Sequence, residues 1–388
     1  MKKEYNLDKI IDRRNTGSIK WDLYGHEILP LWVADMEFPV LEEIQQAIRR
    51  RISHPFFGYQ KLDGEVLDAI CDWVYRHHAW QVTPEDILLI PGVVSGFNWV
   101  ASAFVNAKEA IAFQTPVYFP FFKVAENQKI NQNQIPLENT ENGYRIDFDL
   151  FEEKIKQNTS LFLLCSPHNP VGRVFNKEEL EQIGKVCLEH DVLICSDEIH
   201  CDIVYSGYKH NPIASLAPEL AQNTITLMAP SKTFNVPGLQ FSFAICQNKE
   251  LREKLEKARR GLIENPNVLA TTAAKAAYQK GDNWLAEILD YLDKNREFLF
   301  SYLTDNLPEI EFHKPEGTYL AWLDCANLRL KPSPFRFFLE HAKVALNDGK
   351  QFSDSASHFV RLNFACPRSM LTQALERMRD AVEYHNLK

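Results

Sequence analysis

The sequence predicts an α/β fold, with a mostly parallel sheet between helices and a smaller α+β domain. Three observations carry this. Between residues 86 and 245, short runs with apolar residues on both faces alternate with helix-like stretches, as expected of strands buried on both sides. Each run stops at once at polar, Gly or Pro residues, where the ligand crevice of such a sheet opens. Beyond residue 308, strands and helices mix in shorter units. At about 100–200 residues per domain, a chain of 388 residues suggests two or three domains.

Taken in order, residues 1–44 look irregular apart from the apolar piece Leu31-Trp32-Val33-Ala34. Helical periodicity begins near Leu41 and runs to about Arg51. A second amphipathic helix fits Gly64 to His78, with Val66, Ile70 and Val74 on one face. Strands are expected at 86–90, 110–113, 161–165, 192–196, 224–228 and 241–245. Helices then dominate, over 251–263, 271–278 and 284–303. The remainder offers strands at 319–323 and 359–364 and helices at 334–341 and 370–384. The expected division is a large domain over 45–280 and a small one built from both ends, 1–44 with 281–388.

Composition narrows the function. Lys and Arg number 43 against 52 Asp and Glu, a net charge of −9, which lacks the basic footprint of a nucleic-acid binder. No apolar run approaches the ~18 residues of a membrane span, and the first 14 residues are charged, without an apolar signal segment. The eight cysteines are scattered with no Cys-x-x-Cys pair, so they read as reduced thiols of a cytoplasm, with no metal site expected.

The chemistry centres on Ala229-Pro230-Ser231-Lys232-Thr233-Phe234-Asn235, just past the fifth strand. A lysine among small and apolar neighbours has its pKa lowered by burial and can form an imine with an aldehyde. Ser-Lys pairs are common, so the surroundings matter. Ser196-Asp197-Glu198-Ile199-His200 follows the fourth strand, and a carboxylate there can keep a pyridine nitrogen protonated. Ser166-Pro167-His168-Asn169-Pro170-Val171-Gly172 follows the third strand, and its Asn amide can donate to a phenolate. Pro91-Gly92-Val93-Val94-Ser95-Gly96 follows the first and opens a helix whose N–H groups suit a phosphate. Asp197 stands 28 residues after Asn169, and Lys232 stands 35 after Asp197.

This order and spacing resembles the fold-type I pyridoxal 5′-phosphate (PLP) enzymes of the aminotransferase class I/II superfamily, over nearly the whole chain. The resemblance implies the aspartate aminotransferase-like fold of PLP-dependent transferases, with a seven-stranded sheet. It implies that Asn169, Asp197 and Lys232 meet the cofactor's phenolate oxygen, pyridine nitrogen and aldehyde carbon. Thr115-Pro116-Val117-Tyr118 is similar to the segment whose aromatic stacks on the pyridine, which gives Tyr118 that role. Phe57-Gly58-Tyr59 resembles the segment whose tyrosine reaches the phosphate of a neighbouring subunit, which implies a homodimer. Val360-Arg361-Leu362-Asn363 resembles the segment whose arginine forks onto the substrate carboxylate.

Two departures stand out. Gln240 occupies the neighbourhood where many aminotransferases place a phosphate-binding arginine, which leaves the phosphate to Ser231, the Val93 and Val94 amides and Tyr59. His200 stands where many have a tyrosine, and is expected beside the cofactor.

Leu31-Trp32-Val33-Ala34-Asp35-Met36-Glu37-Phe38, Ser196–Asp202 and Asn363-Phe364-Ala365-Cys366-Pro367 resemble the cystathionine β-lyase branch, the MalY/PatB-like C–S lyases, in which Val33 and Ala34 border the substrate pocket. The resemblance implies β-elimination from cystathionine or a related cysteine S-conjugate, with Lys232 as both anchor and base, and Arg361, Ala34, Asn169 and Tyr59 around the substrate. The rivals are an aminotransferase, which would use the same residues, and a PLP-binding regulator. Regulators of this fold carry an N-terminal winged-helix domain, whereas here the match begins within the first 40 residues.

Overall fold

Seven strands form the main sheet of the computed structural model, which describes residues 5–61 and 64–387. They are β1 (Ile87–Ile90), β2 (Ala110–Thr115), β3 (Asn131–Pro136), β4 (Thr159–Cys165), β5 (Leu193–Asp197), β6 (Thr224–Met228) and β7 (Ser242–Ile245), in the order β1-β7-β6-β5-β4-β2-β3. All run parallel except β7, which is antiparallel to both of its neighbours. Six of the seven are the apolar runs of the sequence. The seventh, β3, begins Asn131-Gln132-Asn133-Gln134. It is a partly exposed edge strand, and polar side chains on its outer face are what such an edge requires. That is why apolar runs did not reveal it.

Helices cover both faces. Those that bear on function are α1 (Glu42–Ile52), α2 (Gly64–His78), α3 (Val93–Phe104), α4 (Lys177–Glu189), α5 (Lys249–Arg259), α6 (Val268–Lys280), α7 (Asp282–Asn306) and α8 (Arg368–Asn386). α2 buries Val66, Ile70, Trp73 and Val74. The side chains of Asn176, Asn248 and Asn267 accept first-turn N–H groups at the starts of α4, α5 and α6.

A second, antiparallel sheet has the order β8-β9-β11-β10, from β8 (Glu311–Phe312), β9 (Leu320–Asp324), β10 (Asn347–Asp348) and β11 (Phe359–Asn363). The N-terminal segment joins this part of the chain. Leu29 and Pro30 pair in parallel with Val344 and Ala345, and the Asn363 N–H donates to Leu31 O at 2.9 Å.

A buried ionic cluster fixes the next few residues. Lys20 is 2% exposed. Its Nζ lies 2.7 Å from Glu37 Oε1 and 3.2 Å from Asp35 Oδ1. Arg13 bridges the same two carboxylates at 2.8 and 2.9 Å, and Trp21 Nε1 donates to Glu37 Oε2. Burial alone would lower the Lys20 pKa, but the Glu37 and Asp35 charges hold it above the ordinary lysine value. Removing one member of a buried pair strands the other. Lys20→Met is therefore expected to cost about 3–5 kcal/mol of stability, read from urea unfolding.

Candidate active site

The carboxyl ends of β4, β5 and β6 lie side by side, with Cys165 opposite Asp197 and Asp197 opposite Leu227. The turns that leave these ends line one cavity of about 440 Å³. Asn169, Asp197, His200, Ser231, Lys232 and Arg361 all face it, together with Val93, Val94, Tyr118 and Ala34. Parallel strands in register thus gather residues that lie far apart in the sequence.

Pro230 starts a single helical turn, Pro230–Thr233, that carries Lys232. Lys232 Nζ donates to Ala34 O at 2.7 Å. Burial, helped by the Arg361 charge, pushes this amine down to about 8, against the opposing pull of Asp35 and Asp197. Asp197 is the last residue of β5 and is buried. It accepts the Ile199 N–H at 3.2 Å, and among the described residues no side chain is hydrogen-bonded to it. Burial pushes its carboxyl up to about 7, against the Ile199 hydrogen bond and the Lys232 charge.

Arg361 projects from β11 and is tied on three sides. It donates to Asn169 Oδ1 at 2.9 Å, to Trp32 O at 3.0 Å and to Asn347 Oδ1 at 2.5 Å, and its guanidinium lies over the Phe352 ring. Burial lowers its pKa to about 10, so it stays cationic at neutral pH. Its Nε is buried without a partner. The Asn169 carbonyl group of the side chain is spoken for by Arg361, which turns the amide NH₂ into the free donor. The Tyr118 N–H is bonded to Asn169 O at 3.0 Å, so the aromatic and the amide are fixed together.

His200 is buried, and its Nδ1 has no partner. Burial, and then the Lys232 and Arg361 charges, hold its pKa well below the usual histidine value, which leaves a neutral ring. Ser231 sits beside Lys232. Val93 and Val94 open α3, where first-turn N–H groups have no intrahelical acceptor. Gln240 also lines the cavity, in a left-handed conformation.

Tyr59 is the one sequence-predicted residue that the structure does not bring to the cavity. It is fully exposed, in a loop with the exposed Phe56 and Phe57.

Several residues here were not singled out from sequence. Asn363 Nδ2 donates to Val33 O and Asp35 O at 2.6 and 2.7 Å, and Asn235 binds the Met36 N–H and the Met36 and Phe38 carbonyls. Tyr319 OH donates to Ala34 O at 3.0 Å. Asn363 was within reach of the sequence: it stands two residues after Arg361, on the same face of one strand. Asn235 was within reach too, closing the segment that carries Lys232, whereas Asn347 and Tyr319 lie in segments with no such pointer.

The donor set fits PLP. A buried carboxylate at a strand end, with no side-chain partner among the described residues, calls for a cation, and a protonated pyridine nitrogen supplies one. A depressed lysine amine and a helix N-terminus stand in the same cavity for an aldehyde and a phosphate. No helix among the described residues is long and apolar enough to cross a membrane.

Comparison with known proteins agrees. The profile of the family aminotransferase class I and II matches residues 26–378. Cystathionine beta-lyase PatB of Bacillus subtilis (strain 168) is 38% identical over 385 residues, spanning 97% of this chain and 100% of that protein. Protein MalY of Escherichia coli (strain K12) is 31% identical, spanning 97% and 99%. The crystal structure of cystalysin from Treponema denticola, which contains a pyridoxal 5′-phosphate cofactor, superposes with a TM-score of 0.95 at 34% identity, covering 100% of each chain. With a family profile spanning nearly all of its length and a seven-stranded sheet of the matching kind, this chain belongs to the aminotransferase class I and II family of PLP-dependent proteins.

Proposed function

We propose that the protein is a PLP-dependent carbon–sulfur β-lyase. It takes cystathionine or a related cysteine S-conjugate, with water, to a thiol, pyruvate and ammonia; from cystathionine the thiol is homocysteine. The observation that carries this reading is the buried Lys232 amine, held on Ala34 O in one cavity with Asp197 and Arg361. Full-length similarity to a cystathionine β-lyase directs it to C–S cleavage rather than amino transfer.

Bound PLP supplies an electron sink for the pair left at the substrate Cα. The rest falls to the chain. Arg361, preset by Asn169, Asn347 and Trp32 O, forks onto the substrate carboxylate. Lys232, once free, removes the Cα proton and returns a proton to the departing sulfur, and Ala34 O orients its amine. Asp197 keeps the cofactor's ring nitrogen protonated, and the Asn169 amide donates to its phenolate. Tyr118 would stack on the ring, with neutral His200 beside it. Ser231 and the Val93 and Val94 amides hold the phosphate. Exposed Tyr59 reaches the phosphate and substrate region of a second copy in a homodimer. The domains follow the chain as 45–280 and 1–44 with 281–388, and the protein works in the cytoplasm on small amino acids.

Purified protein with PLP is expected to release pyruvate and homocysteine from cystathionine. Amino transfer to a 2-oxo acid with no pyruvate formed overturns the proposal. Lys232→Ala is expected to lower pyruvate formation by at least about 10²–10⁴-fold, the range of a positioned acid–base group. Arg361→Lys loses the fork, and kcat/KM should fall about 10–100-fold, equivalent to one charged hydrogen bond. Asp197 sets a pH dependence. Between its ordinary value of 3.8 and about 7, the folded cofactor-free protein keeps a proton that the unfolded chain has released, so stability falls as pH rises through that window. Asp197→Asn should flatten that decline in the cofactor-free Tm while weakening PLP binding, read by absorbance titration.

A further inference from the structure

A second pocket, of about 280 Å³, shares no lining residue with the catalytic cavity. Its walls come from the end of α2, the segment 201–210 and the start of α7. Here His78, Cys201 and Asp202 present one ligand atom each, all within 4.8 Å of one another. They are 7, 5 and 9% exposed. A cysteine and an aspartate adjacent in sequence, with a histidine more than a hundred residues away, make no spacing motif, which is why the sequence pointed to no metal site.

The His78 Nε2 to Asp202 Oδ1 distance is 3.0 Å. A proton spans that gap here. An ion ~2.0–2.2 Å from a histidine nitrogen and a carboxylate oxygen spans it equally well. Asp202 is held in place for this by Trp73 Nε1 at 3.1 Å on Oδ1 and Thr233 Oγ1 at 2.7 Å on Oδ2.

An independent observation points the same way. His210 lines the same pocket and is 5% exposed. Its Nε2 is fixed on Glu198 Oε2 at 2.8 Å, while its Nδ1 has no partner. Its ring centre lies 5.4 Å from that of His78. A histidine whose outer nitrogen is held by a carboxylate and whose other nitrogen is free is arranged as metal-ligating histidines are.

We propose that this pocket binds a divalent cation of the zinc class through His78, Cys201 and Asp202, with the neighbouring His210 ring, which lies outside that 4.8 Å grouping, shifting to bring its Nδ1 in as the fourth ligand. One thiolate, one carboxylate and two neutral imidazoles match the borderline softness of Zn²⁺, and the two negative charges balance its own. Binding takes the Cys201 thiol to the thiolate and releases its proton to solvent, with no redox change. Cys201 follows His200 directly, and Thr233, bonded to Asp202, follows Lys232. The ion therefore braces the turn that follows β5 against the turn that carries Lys232.

The test uses full-length protein with PLP bound, stripped with chelator and titrated with Zn²⁺ against a chromophoric competitor. One equivalent per chain is expected. Cys201→Ser and His210→Gln should each weaken it at least tenfold, the latter because glutamine can keep the Glu198 hydrogen bond while losing Nδ1. Cys71→Ser, outside the pocket, should match the parent. No stoichiometric uptake by the parent overturns the proposal, as does uptake unchanged in both pocket variants. Near-ultraviolet circular dichroism checks folding, and if one variant misfolds, the other decides.

Discussion

The site depends on taking a carboxyl and an amine out of water in the same cavity. Burial drives both towards their neutral forms, Asp197 up to about 7 and Lys232 down to about 8. In water each would be fully charged at neutral pH and useless, the amine blocked by its proton and the acid content with solvent. The cavity eases the proton off the lysine and leaves the acid without a side-chain partner among the described residues. The two groups meet because Asp197 ends β5 and Lys232 lies on the turn after the neighbouring β6, and both face one cavity.

Everything around that pair serves to hold it still. The backbone from Val33 to Phe38 has no regular partner strand, yet its polar groups are met by Asn363, Asn235 and Lys20. The Ala34 carbonyl is thereby fixed, and it accepts from both Lys232 and Tyr319. Arg361 is likewise held by two asparagine side chains and one carbonyl, so its guanidinium has little freedom left to lose.

Much of this was legible in the sequence because strand ends carry a local signature. Apolar runs that stop just before the turns carrying Asn169, Asp197 and Lys232 told of a parallel sheet and of the edge on which its chemistry is expected. β3 escaped because an exposed edge strand of Asn and Gln has no apolar run to read. Asn347 and Tyr319 escaped because each matters only through a contact across the fold, with Arg361 and with Ala34. The His78, Cys201 and Asp202 grouping escaped for the same reason. Spacing reveals ligands that one turn or strand supplies; it is blind to those that packing brings together.

The staples on the N-terminal segment also set a timetable. Val33 and Asp35 are made 330 and 328 residues before Asn363, the asparagine that anchors both, and Trp32 O waits for Arg361. A nascent chain can lay down the whole main sheet and still present its lysine to an unfinished wall. The Lys232 amine gains a fixed carbonyl partner, and the cavity its Arg361, only once residues 361–363 are made, so a shorter chain holds that lysine against an open wall.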